Sequence, residues 1–515
     1  MVFGENFMRE KKLFLNTVTS LFLQIITIIC GFILPRLILN HFGSDTNGLV
    51  NSITQFLQII SFLELGVGAV VQSSLYKPLA EKDKNQVSKI IVSANKFFKK
   101  IAVILLIYII VLVVIFPIII DKSYDFFYTT FLIIAISISY FAQYYFGVID
   151  RLLLNSDQKG YVQYTAQIIT LILNTAVCVF LIYLNQSIQI VKLCSSLIFL
   201  IRPFFLRIYV NKHYEINRKI QYDKEPIKQK WNGIAQHVAS VVLDSTDNIV
   251  LTTFSTLSNV SIYSVYHLVV YGVKQLFMSL TSGIQALLGE LLAKNDIKEL
   301  LIIFGWYEWL IHTFVILIWG STVILIVPFI SVYTKGITDA NYIVPLFAVL
   351  ISIANAAHCL RLPYNTIILA AGHYKETQNN YIIAAILNIV ISIIMVHFYG
   401  LIGVAIGTII AMVYQTLWMM NYDSKYLIKW PKNKMMKQLI IDFITCTVYS
   451  AVYFLCPLIV DSYIDWIILA YIILLINTCI SLLINLIFYK SRVIKLVYII
   501  KNKYFKLTMK GKKSI

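Results

Sequence analysis

The sequence predicts an all-α integral membrane protein of about 14 transmembrane helices: two pseudo-symmetric six-helix bundles, an N-lobe and a C-lobe, around a central cavity, plus two extra C-terminal helices. Composition, recurring apolar runs and a self-match between the two halves predict it. Of 515 residues, 59% are hydrophobic and 13% charged, with a mean hydropathy of +0.78. A soluble globular chain is about 45–50% apolar and about 25% charged. Runs of the roughly 20 apolar residues needed to cross hydrocarbon recur up to residue 489, leaving no stretch for a soluble catalytic domain. Strand alternation is absent, which excludes a barrel.

The spans follow from the polar breaks between them. The first, 13–40, lacks a small-residue cleavage site and is too long for a signal-peptide core, so it is retained. GSDTNG separates it from 47–76, AEKDKNQ precedes 88–120, DKSYD precedes 126–150, and NSDQKG precedes 161–184. NQS opens 188–209, after which 211–230 is a basic linker. The second half repeats the scheme with spans at 231–254, 258–292, 300–332, 341–371, 377–398 and 400–422. DSKYLIKWPKNK then leads to 436–459 and 463–489, and residues 490–515 form a basic tail. The expected domains are an N-terminal lobe at 1–210, the linker at 211–230, a C-terminal lobe at 231–430, the last two spans at 431–489 and the tail at 490–515.

The net charge of +18 is explained by sidedness. With a cytoplasmic N-terminus, 35 of the 43 Lys and Arg fall on the inner side, Lys122 and Lys335 alone on the outer side, and six within spans. A wrong span count would scramble that asymmetry. Both termini are therefore expected in the cytoplasm. The inner bases suit anionic lipid headgroups. Nucleic acid is not an expected partner, because no basic exposed domain is present.

Sliding the chain by 212 residues lays GLVNSITQF (48–56) over VSIYSVYHL (260–268), superposing Asn47 on Asn259 and Ser52 on Ser264. At a shift of 214, Asn174 in AQIITLILNTAV meets Asn388 in NYIIAAILNIVI. Nearly equal offsets in two places indicate a duplicated six-helix unit. Because six is even, the copies share an orientation and an axis along the membrane normal, with a path between lobes.

Six bases lie inside spans: Arg36, Lys192, Arg202, Arg207, Lys274 and Arg361. The acids there are Glu64, Asp244, Asp247 and Glu308, with Asp150 and Asp442 nearer the cytoplasm. Each ion costs roughly 2.5–3.5 kcal/mol at a helix centre, so most must face protein or water. Lys192 and Arg207 sit near span ends and reach the interface by snorkelling. Lys274 is about 24 Å into its helix, too deep for that. Asp244, Asp247 and Asn248 stand at i, i+3 and i+4, on one helical face. Arg36 falls on Asn248 at the 212 shift, and Glu64 maps two residues from Lys274. The expected picture is a polar cleft walled by spans 1, 2, 7, 8 and 10. Buried bases suit phosphate or pyrophosphate. Neighbouring carboxylates suit a driving H⁺ or Na⁺, because two of them one turn apart resist double ionisation. The same ions also satisfy a purely structural pairing.

The seven cysteines show no C-x-x-C spacing, and the span histidines, His312 among them, stand isolated without H-x-x-x-H or H-E-x-x-H, so neither a metal nor another cofactor is expected. Gly400, Gly403 and Gly407 in YGLIGVAIGT space small residues as helix packing requires.

LNTVTSLFLQIITIICGFILPRLILNHFGSDTNGLVNSITQFLQIISFLELGVGAVVQSSLYKPLAEKD resembles the opening of bacterial polysaccharide flippases of the Wzx type, in the multidrug/oligosaccharidyl-lipid/polysaccharide exporter superfamily. DNIVLTTFSTLSNVSIYSVY resembles their seventh and eighth helices, and AAGHYKETQNNYIIAAILNIVISIIMVHFYGLIGVAIGT their eleventh and twelfth. The resemblance covers about the first 430 residues. It implies alternating access in the bacterial cytoplasmic membrane and transfer of an undecaprenyl-pyrophosphate-linked oligosaccharide from inner to outer leaflet, for capsule or other surface polysaccharide. It also implies cavity bases, with Arg36, Lys274 and Arg361 as counterparts and Arg202 a further substrate-binding candidate; Glu64, Asp244 and Asp247 are the ion-coupling candidates and Asn248 a polar cavity residue. A glycan polymerase and glycosyltransferases of the same pathway are the implied protein partners. Lipid II or teichoic-type precursor flippases and cation-coupled drug exporters share the superfamily and stay open as alternatives. A membrane-embedded glycan polymerase or ligase is disfavoured because the longest outer loop is about nine residues, so the expectation is a carrier and not an enzyme.

Overall fold

Apolar, strongly helix-forming spans give a helical molecule. The computed structural model describes residues 2–59, 61–119, 124–222, 234–455 and 460–511. Among these the helices are α1 (Val2–Gln58), α2 (Ser61–Ala80), α3 (Lys84–Ile119), α4 (Phe126–Ala142), α5 (Val148–Ser156), α6 (Gly160–Tyr183), α7 (Ile188–His213) and α8 (Ile234–Phe254). They continue with α9 (Leu257–Ala293), α10 (Ile297–Tyr333), α11 (Pro345–Leu360), α12 (Leu362–Ala370), α13 (Tyr374–Tyr399), α14 (Leu401–Tyr422), α15 (Lys432–Leu455) and α16 (Tyr463–Gly511). Two π-helices, Gln143–Gly147 and Asp423–Leu427, join α4 to α5 and extend α14. No strand occurs among the described residues.

Each of the fourteen expected spans has a helical counterpart, and the differences have local causes. The first expected span and the start of the second run together through α1, which changes direction at Gly43, where φ is 85° and ψ 173°, and the rest of the second lies in α2. Only glycine takes that conformation without strain. The expected span 126–150 extends through the π-helix to Ser156, and this carries Arg151 from an expected loop into α5. The expected span 341–371 is divided at Arg361 into α11 and α12, because Pro363 supplies no amide hydrogen to the preceding turn. α16 loses helical geometry at Tyr489, where φ is −134°.

Lipid-facing surfaces are plain on the long helices. Phe14, Val18, Leu21, Phe22, Ile25 and Ile29 of α1 are exposed at helical spacing, as are Ile104, Ile107, Val111, Val114 and Ile118 of α3. In water such stripes would be unfavourable; hydrocarbon is their solvent. Ten stretches among the described residues are long and apolar enough to cross a membrane, and the chain is a multi-pass membrane protein. Lys82, Gln158, Asn185 and Asn295, all at positive φ, terminate helices in the left-handed region.

Packing divides the chain into two compact units. The first comprises Met1–Leu268, Gly336–Tyr342 and Tyr374–Ala411, and the second Val269–Lys335, Ile343–His373 and Met412–Ile515. The first unit has an apolar core from α1 to α7, centred on Leu49, Ile53, Phe98, Phe116 and Leu153. Its segments matched by the 212 shift lie against each other: Asn47 donates to Ser261 at 2.8 Å, Asn51 donates to Ser264 at 3.2 Å, and the Ser52 and Thr252 hydroxyls are 2.7 Å apart. Contact this close needs Gly48, whose missing Cβ would stand 2.0 Å from the Leu257 carbonyl oxygen. Gly403 and Gly407 do pack as expected, against Met395 and Ser392 of α13.

The second unit ties α16 to α10 by polar contacts. Trp309 donates to Asn485 at 2.7 Å, Asn477 to Ser321 at 2.9 Å, and Trp466 to the Leu325 carbonyl at 3.1 Å. Side-chain bonds between helices hold best where water cannot compete for them.

Candidate functional site

A polar stripe on α6 is the starting point: Gln163, Gln167, Thr170 and Asn174 recur at i, i+4, i+7 and i+11, one face of a helix otherwise made for lipid. That face turns inward. With α4, the π-helix, α5 and α7 it encloses a cavity of about 460 Å³ in the first unit, lined by Arg151, Arg202, Gln58, Gln143, Gln163, Gln167, Tyr140 and Tyr144. Arg202 donates through Nε to Thr170 Oγ1 and holds its guanidinium 4.4 Å from the Phe199 ring, which fixes the fork toward the cavity. Gln163 is buried with its carbonyl oxygen unbonded among the described residues. The π-helix shifts the register of α5 by one residue, and such bulges recur at functional sites. Gly147 in it lets α7 approach, since its Cβ would lie 3.0 Å from Pro203.

One expected site residue, Arg202, thus lines a cavity, together with four glutamines and Arg151 that sequence reasoning missed. The α6 periodicity carried a readable signal for two of the glutamines. Arg151 gave none, because it stands beside the polar break NSDQKG. Arg207 does not only snorkel: it pairs with the fully buried Asp150 at 3.2 Å, and Arg218 approaches the other oxygen of that carboxylate at 3.6 Å.

Asp247 and Asn248 are buried on α8 of the first unit. Thr408 donates to Asp247 at 2.8 Å, Asn388 donates to Thr408 at 2.9 Å, and Tyr263 reaches Asp247 at 3.2 Å. The amide oxygens of Asn388 and Asn248 have no hydrogen-bond partner among the described residues. Hard oxygens from α8, α13 and α14 are therefore gathered at one node. Asn388 is the residue that matched Asn174 in the self-comparison. Arg36 is half-buried on α1, directly after Pro35, also in the first unit. Glu64 and Asp244 stand on helical backbone in α2 and α8, and their side chains lie outside the described residues.

Lys274 and Arg361 belong to the second unit and are 7% and 4% exposed. Both act electrostatically on the Cys359 sulfur, so the two bases share a neighbourhood. Arg361 donates through Nη1 to Gln415 and lies 3.3 Å from His358 Nδ1.

The same unit holds a buried network. Glu308 accepts from Tyr364 and from Trp430, each at 2.9 Å; His312 Nδ1 bonds Asp442 at 2.6 Å, and Gln438 donates to the other Asp442 oxygen at 3.0 Å. His312 is thus not isolated, contrary to the sequence expectation, because its partner comes from a helix 130 residues away. Asp423, fully buried in the second π-helix, has both oxygens unbonded among the described residues.

No family model matches the sequence, and no curated protein matches it. Solved structures do. One reported as the lipid II flippase MurJ in an inward closed conformation superposes with a TM-score of 0.70 at 16% identity, covering 93% of this chain and all of that one. An inward-facing multidrug resistance MATE family transporter of the MOP superfamily gives 0.61 at 14% identity, over 80% of this chain and 99% of that chain. The Vibrio cholerae MATE transporter VcmN, in a mutant form, gives 0.58 at 15% identity, over 81% of this chain and 98% of that chain. The chain therefore has the fold shared by this lipid flippase and these transporters.

Proposed function

We propose that this protein is a flippase that carries an undecaprenyl-pyrophosphate-linked oligosaccharide from the inner to the outer leaflet of a bacterial cytoplasmic membrane by alternating access. The observation that carries the reading is the cationic and amide lining: half-buried Arg151 and Arg202 among glutamines and tyrosines in one unit, and buried Lys274 and Arg361 in the other. Guanidinium forks and ammonium groups bind a pyrophosphate that must leave water. Amides and phenols supply the donors and acceptors that sugar hydroxyls need. A cation-coupled drug exporter has no use for several buried bases. Similarity to a lipid flippase over 93% of the chain, against about 80% for multidrug transporters, supports the same reading.

Asp247 with Asn248, Asn388 and Thr408 is the coupling site in this reading, where H⁺ or Na⁺ neutralises the carboxylate. Sodium favours oxygen donors of this kind.

Lipid II is the second reading, favoured by the name of the 0.70 match. Both cargoes are polyprenyl pyrophosphates, so the test presents each. Protein is reconstituted in vesicles with the labelled lipid inside one leaflet, and exposure on the far side is followed under a proton or sodium gradient. Exposure of the oligosaccharide lipid above protein-free vesicles supports the proposal. Exposure of lipid II alone assigns the second reading, and exposure of neither sinks both.

A further inference from the structure

The second unit contains a second charged cavity, which meets the buried network described above at Glu308, Trp430 and Gln438. It measures about 630 Å³ and lies between α10, the start of α15 and the bend in α16. Four bases line it: Lys434, Lys437, Lys490 and Arg492. Among the described residues none of the four forms an ion pair. Glu308 is the one acid in the lining; it is 3% exposed and already accepts hydrogen bonds from Tyr364 and Trp430.

The bases are held in place by the fold. The break at Tyr489 turns the chain so that Arg492 comes back to α10, donating to the Gly305 carbonyl at 2.9 Å. Lys437 stands 5.1 Å from the Tyr489 ring and Lys434 4.6 Å from the Trp430 ring. Aromatic faces keep the two ammonium groups near the mouth without neutralising them. Ile487, Phe488 and Ile494 complete the wall, and the exposed apolar face of α16 continues from them through Leu486, Leu483 and Leu482.

A site with unneutralised bases on one side and a lipid-facing apolar stripe on the other complements a molecule with a phosphate head and acyl chains. The asymmetry of Lys and Arg places this edge in the cytoplasmic leaflet, and basic pockets between helices there suit anionic headgroups. We propose that this cavity is a resident site for an anionic phospholipid. Lys434, Lys437, Lys490 and Arg492 hold the phosphodiester, and the chains lie along α16. The site is independent of the transported cargo.

The test uses the full chain in neutral detergent, with native mass spectrometry counting bound lipid during titration with phosphatidylglycerol, phosphatidylcholine or inorganic phosphate. One phosphatidylglycerol per chain is expected to bind well ahead of phosphatidylcholine, and millimolar phosphate should not displace it. The variant K434Q/K437Q/K490Q, altered at exposed positions, should weaken that binding roughly 100-fold, from about one kcal/mol per base. A control with as many bases removed elsewhere, K100Q/K298Q/K375Q, should bind as the parent does. Equal losses in both triples would reduce the effect to general surface attraction and overturn the site. So would full displacement by phosphate, which identifies a free-anion pocket, or the absence of any preference for phosphatidylglycerol.

Discussion

Single side chains decide what the cavities can bind. Arg202 was legible as a base inside a span, because an ion at that depth needs a reason. Arg151, Gln58 and Gln143 were not, since their importance comes from helices meeting in space and from a π-helix that no composition signals. Replacing Arg151 or Arg202 by Ala is expected to lower flipping at least tenfold while the protein still inserts, as read by vesicle exposure alongside membrane yield. The same holds for Lys274 and Arg361. At the membrane edge, Asp157 bonds Lys159 at 2.8 Å, receives the Tyr214 hydroxyl at 2.5 Å and lies 3.5 Å from Lys12. Burial alone would raise its carboxyl, but the bonds from Lys159 and Tyr214 and the charges of Lys159 and Lys12 hold it below the usual value. A depressed folded value means the stabilisation is complete above about pH 3.9 and is lost as pH falls through the lower folded value. Asp157→Asn should cost about 1 kcal/mol at neutral pH and flatten the melting curve's dependence on pH at that acid end, measured by thermal denaturation in detergent.

At the scale of elements, each of the fourteen expected spans meets a helix among the described residues, because hydrocarbon thickness imposes a length that apolar runs reveal directly. The bend at Gly43 was harder, depending on φ rather than on hydropathy, whereas a proline such as Pro363 marks its break in the sequence. The joining of α15 to α10 was not legible at all: His312 and Asp442 find each other only through packing. Removing one partner leaves a buried polar group unmatched. His312→Ala and Asp442→Ala are each expected to destabilise by about 2–3 kcal/mol, with a coupling of about 1–3 kcal/mol in a double-mutant cycle read by thermal unfolding. Gly48 makes a steric prediction. Gly48→Val must push α1 from the Leu257 carbonyl, so lowered stability of about 2–3 kcal/mol is expected, whereas Gly272→Ala, with nothing within 4 Å, should be silent in the same assay.

For the whole molecule, the all-helical membrane architecture expected from the sequence is the fold shared with a lipid flippase and with MATE transporters. Cargo identity was not readable at this scale, since one fold serves lipids and drugs alike. Asp247→Asn gives the global test of coupling. If the node at α8, α13 and α14 converts a cation gradient into movement, this variant should still exchange cargo between leaflets at equilibrium but fail to accumulate it under a gradient. Accumulation equal to the parent's would remove Asp247 from the coupling role.

The residues just past Gly43 are joined to the segment before α11 almost wholly through hydroxyls: exposed Asp339 accepts from the Ser44 amide at 2.6 Å and its hydroxyl at 2.8 Å, and Tyr342 bridges Ser44 at 2.7 Å and Ser261 at 2.8 Å. Where water reaches such hydroxyl bonds, each partner is traded for a water molecule at a net cost near 0.5–1.5 kcal/mol per bond. An oily seal of similar extent would resist hydration far more. A junction held by such bonds therefore parts at less cost than an apolar one of the same extent.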